Sequence, residues 1–123
     1  MLVCIVLAVV VAEPLETTES WTPLAAVNDQ RTKRGLRPLV ADAKLMALAQ
    51  KVSRIRAANN IHGHIKGWQA GHATREGVGW QSSPNDHAGK KFRSCCLYGK
   101  RWKHAGVGIS VSRHGTFYTL MVR

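Results

Sequence analysis

Residues 24–64, LAAVNDQRTKRGLRPLVADAKLMALAQKVSRIRAANNIHGH, decide the fold. Thr22 and Pro23 stand just ahead of them, a hydroxyl suited to cap an orphan amide and a residue with no amide to leave unpaired. Leu24, Val27 and Asn28 then recur at spacings of three and four, so they share one helix face. Asp29, Arg31 and Lys33 point elsewhere. Gly35 supplies a C-cap and Pro38 blocks continuation. Asp42 opens a second helix. Leu45, Leu48, Ala49, Val52 and Ile55 keep the helical period and form its buried stripe, with Lys44, Lys51, Arg54 and Arg56 assigned to the solvated side. The pattern ends at Asn59-Asn60, and His62 and His64 follow.

Working toward the N-terminus, residues 1–12, MLVCIVLAVVVA, are apolar and carry no charge. As a helix they would rise about 18 Å, short of the roughly 30 Å hydrocarbon core of a bilayer. They are therefore read as the apolar region of a secretory signal peptide and not as a transmembrane anchor. Val10 and Ala12 are the small residues before a cut near Glu13, with no basic residue ahead of the run. Residues 13–21, EPLETTESW, are polar and read as a linker. Residues 22–123 are enough for one domain with one core. The expected location is secreted, extracellular or periplasmic.

The chain carries 18 Lys and Arg against 7 Asp and Glu, a formal net charge of +11. That balance favours anionic partners, such as cell-wall polysaccharide or lipid headgroups. The charges are dispersed, with no long basic arm and no zinc-finger or RNA-binding signature, so nucleic acid is the weaker expectation. Cys4 lies in the apolar segment. Cys95 and Cys96 are adjacent and can close a strained vicinal bridge, pair between chains or stay reduced; small buried residues or a structural bridge is the expected role.

Toward the C-terminus, residues 63–79 are glycine-rich, with Trp68 and His72 interspersed, and read as loop. Ser83-Pro84-Asn85-Asp86 has the form of a helix start, predicting a helix of about ten residues that ends near Cys95. Val107, Ile109 and Val111 alternate with Gly108, Ser110 and Ser112. A turn at Arg113-His114-Gly115 leads into residues 117–122, predicting an antiparallel hairpin. Three helices and a terminal β-hairpin define an α+β domain. Ser82 and Ser83 lack a nucleophile-elbow context, and no glycine-rich phosphate loop precedes a helix. His72, His104 and His114 are expected in solvent. Trp68, Trp80 and Trp102 are expected in core packing or cavity lining.

Asn28, Arg31, Gly35, Leu36, Pro38 and Leu39, followed by Asp42, Leu45, Ala49, Asn60 and His64, resemble the opening of a CAP-superfamily (SCP-like) domain of small bacterial type. Glu76, in Arg75-Glu76-Gly77, resembles the glutamate of that family's G-E-N-I element, with Gly77 in place of the Asn. Gly106-Val107-Gly108 resembles its V-G-V-G strand, and Phe117-Tyr118 the aromatic pair of its last strand. The resemblance covers about residues 24–122 and is most specific in the first half.

It implies a three-layer α-β-α sandwich of CAP type, helices first. It also implies a cavity in which two histidines and one or two acids hold a divalent cation, often zinc. His64 and Glu76 match that set and are the metal-ligand candidates. Tyr98 stands at the second histidine, His62 and His87 are further cavity candidates, and Asp86 is the nearest second acid. With the ligand set incomplete, the expectation is a noncatalytic binding protein with a His/Glu-lined cavity and no required cofactor. The alternatives are a metal-assisted hydrolase or peptidase of CAP type and a basic nucleic-acid-binding protein.

Overall fold

Among the described residues, Thr22 and Asp42 start two helices. Thr22 Oγ1 accepts from the Ala25 amide at 3.1 Å, and Asp42 Oδ1 accepts from the Leu45 amide at 3.0 Å. Each contact satisfies an amide that a first helical turn leaves without a partner. Helix α1 spans Pro23–Thr32 and α2 spans Ala43–Asn59, closed by Asn60 in the left-handed conformation. The computed structural model describes residues 22–65, 75–82 and 92–123. The expected signal peptide at 1–12 and linker at 13–21 lie outside the described residues, as do Trp68, His72, Asp86 and His87. Most of the helix predicted from Ser83 does too; residues 92–95, its expected end, are not helical.

Among the described residues four strands, β1 (Val40–Ala41), β2 (Arg75–Gln81), β3 (His104–Ser112) and β4 (Gly115–Val122), form one sheet in the order β1-β3-β4-β2. β1 runs parallel to β3, while β3–β4 and β4–β2 are antiparallel, so the described fold is a mixed α+β one. β2 corrects the part of the loop reading that covers residues 75–79. Gly77 and Gly79, which suggested a loop, are places where another backbone comes close. A Cβ at either would collide with the carbonyl of Cys95 or of Arg93, and glycine in a strand interior often marks such an approach.

Cross-strand partners share a face of the sheet. Gly106 pairs with Met121 and Gly108 with Thr119, and between them Val107 pairs with Leu120. On the first face Leu45, Ala49 and Val52 of α2 cluster with Met121. On the second, Ala26 and Val27 of α1 pack with Val107, Leu120, Phe92 and Leu97. Asn28 ties α1 to the approach of β1, donating to the Leu39 carbonyl at 3.0 Å and accepting its amide at 2.7 Å.

Arg56 is not on the solvated side as expected, and Arg31 is buried as well; they are 0 % and 1 % exposed. Arg31 follows Val27 by four residues and Arg56 follows Val52 by four, so the helical period carries both to a buried face. Carbonyl groups make this tolerable. Arg31 donates to the carbonyls of Arg37, Leu97 and Gly99 at 2.7 to 2.9 Å. Leu48 and Ile55, read into the buried stripe, are only half-buried.

Candidate functional site

The site is organised by Arg56, in the last turn of α2. A guanidinium has five N–H donors in a rigid planar fork, and each finds an acceptor here. Nε donates to the Ile61 carbonyl at 3.1 Å. Nη1 donates to the Tyr118 carbonyl at 2.6 Å and to Thr119 Oγ1 at 3.1 Å. Nη2 donates to the carbonyls of His62 at 2.9 Å and Gly79 at 3.3 Å. One side chain thus fastens the segment after α2 onto β4 and β2. Burial pushes the Arg56 guanidinium below the ordinary arginine value, opposed by Glu76 and then by Cys95. An arginine remains charged under such a shift.

Two histidines of the fastened segment take different places. His62 stacks on Trp80, ring centroids 4.2 Å apart, and meets Phe117 edge-on at 5.7 Å. Its Nε2 lies 2.8 Å from Asn60 Oδ1. His64 Nδ1 lies 3.2 Å from Glu76 Oε1; the imidazole is 53 % exposed and the carboxylate side chain 1 %. Glu76, Trp80 and their partners Met121 and Phe117 share the face of the sheet that α2 covers. A buried carboxylate needs a partner, and here it holds Nδ1 of a half-exposed imidazole. With Nδ1 engaged, Nε2 is the ring nitrogen left for a ligand, an orientation that second-sphere carboxylates commonly impose on histidine.

The structure therefore brings His64 and Glu76 together, with His62 nearby on the same segment but engaged with Trp80 and Asn60. Tyr98 meets other groups. Its ring lies under the Arg34 guanidinium at 3.7 Å, and its hydroxyl is 3.5 Å from Gln30 Oε1, contacts to the turn after α1 and to its last turn. His64 and Glu76 supply two ligands where zinc normally takes three or four from the protein. Among the described residues no group of three or more His, Cys, Asp or Glu side chains is placed to hold a metal ion. The residues described do not by themselves fit a zinc centre.

At the opposite edge of the sheet, beside β1, lies a hollow of about 290 Å³ lined by Arg37, Pro38, Val40, Trp102, Lys103 and His104. Arg37 and Lys103 are exposed, and Trp102 packs inward on the core that α1 covers. Sequence reasoning missed this convergence, because Arg37 and Lys103 are far apart in the chain and only the parallel pairing of β1 with β3 joins them. It also missed Arg56, whose place in the apolar period of α2 was the available signal. His114 lies in the turn between β3 and β4, where its carbonyl accepts from Trp80 Nε1 at 2.8 Å.

No protein-family model matches the chain, and a search of curated proteins finds no match to it. No helix among the described residues is long and apolar enough to cross a membrane.

Proposed function

We propose that the chain is an exported, noncatalytic binding domain of CAP type, a three-layer α-β-α sandwich with a terminal hairpin. Its ligand is an anionic polymer at or outside the cell surface, a cell-wall polysaccharide in preference to a nucleic acid. Placement of α1 and α2 against opposite faces of the sheet supports the architecture. The observation that carries the function is the hollow beside β1. It sets the exposed cations Arg37 and Lys103 beside an indole, Trp102. Trp102 is half-buried with its inner side on the core; the part of the indole that lines the hollow offers apolar surface to a sugar ring, and the cations attract its charged substituents. The His64–Glu76 pair would act as a second polar contact at the other edge of the sheet.

Binding of the purified chain to dextran sulfate and to uncharged dextran tests this reading. Affinity for the sulfated polymer alone, strongest at low salt where screening is weakest, is the expected result. No affinity at low salt would sink it. One other reading is a metal-assisted hydrolase, which needs a third ligand beside the His64–Glu76 pair. Zinc uptake lost in His64→Ala would support that reading, and uptake unchanged by the substitution would remove it.

A further inference from the structure

Cys95 and Cys96 are held against the outer edge of β2 by a built set of contacts. The Cys95 amide donates to the Val78 carbonyl at 3.2 Å, and the Val78 amide donates to Cys95 Sγ at 3.4 Å. Ser94 Oγ donates to the Cys95 carbonyl at 2.8 Å. Gly77 and Gly79 leave the space in which this segment lies, since a Cβ on either would strike it. Cys96 takes φ 70°, a left-handed conformation that side-chain-bearing residues rarely adopt without a constraint around them. In that conformation the two sulfurs are 3.3 Å apart. Cys95 is exposed and Cys96 half-buried, and both are free thiols.

We propose that Cys95–Cys96 is a reversible dithiol–disulfide site whose substrate class is small-molecule disulfides. Its chemistry is two successive exchanges. The thiolate of Cys95, the more accessible sulfur, attacks one sulfur of the small disulfide and expels the other as a thiolate, leaving a mixed disulfide on Cys95. Cys96, as thiolate, then attacks Cys95 Sγ and expels the second small thiol. Two protein thiols become one disulfide, and one small disulfide becomes two thiols. Burial pushes the Cys96 thiol up, reinforced by Cys95 and opposed by Arg75; this disfavours its thiolate, so the first attack falls to the exposed Cys95.

Adjacency makes the product labile. Neighbouring Cα atoms across a trans peptide are about 3.8 Å apart, inside the lower limit of about 4.4 Å for an unstrained bridge. Strained, exposed disulfides are the readily reduced ones, in contrast to structural bridges.

The full chain, incubated in glutathione buffers of varied ratio, alkylated and digested with trypsin, provides the test. Cleavage after Arg93 and Lys100 releases SCCLYGK, residues 94–100, which holds both cysteines and excludes Cys4. In oxidising buffer this peptide should lose two hydrogens and resist alkylation as a single linear peptide. Excess reduced glutathione should restore both thiols. Cys96→Ser should stop at a glutathione adduct on Cys95. Full alkylation at every ratio, a cross-link to a second chain, or a bridge that survives reduced glutathione would each overturn the proposal. The wild-type experiment stands even if the variant does not fold.

Discussion

Arg56 carries the largest load of any single side chain in the described structure, because its five donors serve three separate segments. Arg56→Met fills similar space but leaves the carbonyls of Ile61, His62, Gly79 and Tyr118 short of a donor. That should cost about 3 kcal/mol or more, read as a lower urea midpoint. Asp42 gives a pH signature. The Leu45 amide holds its carboxyl below the usual aspartate value, burial opposes this, and the charge of Arg123, paired with it, adds to it. A depressed folded value means the stability is fully present above the unfolded pKa of about 4 and is lost as pH falls through the folded value. Asp42→Asn keeps a cap but removes the titration, so unfolding followed from neutral to acid pH should show a shallower acid-side loss. At this scale the sequence was partly readable. Thr22, Asn28 and Asp42 act through short local contacts that residue type announces. The charge of Arg56 points to solvent, whereas the helical period carries it, like Arg31, under the core.

The packing of α2 on the sheet depends on two positions without side chains. A Cβ on Gly106 or Gly108 would overlap the α2 backbone at Leu45 or Ala49. Gly106→Ala should therefore push helix from sheet and cost about 1 to 3 kcal/mol, measured by chemical denaturation; an unchanged midpoint would refute so close a contact. Elements with a sustained pattern were legible, α2 through its apolar period and β3 through its alternation. β2 was not, because Gly77 and Gly79 interrupt Glu76, Val78 and Trp80, and glycine is an ambiguous signal without its spatial neighbour. β1 has only two residues, too few for any periodicity, and exists because the Val40 amide donates to Lys103 and the Asp42 amide to Ala105.

Over the whole molecule, a net charge of +11 attracts polyanions wherever the cations lie, so charge alone does not define a binding site. Geometry adds the distinction between dispersed cations and those gathered around Trp102. Half of the candidate site was legible from residue type, since His64 and Glu76 were named and do meet at 3.2 Å. The hollow was not, because it is assembled by strand pairing between distant segments. The most direct measurement compares Lys103→Glu with Arg54→Glu, an equal change of charge on the exposed side of α2, in low-salt binding to dextran sulfate. Lys103→Glu should weaken binding about tenfold, the equivalent of about 1.4 kcal/mol, and Arg54→Glu much less. Equal losses in the two variants would contradict a binding site beside β1.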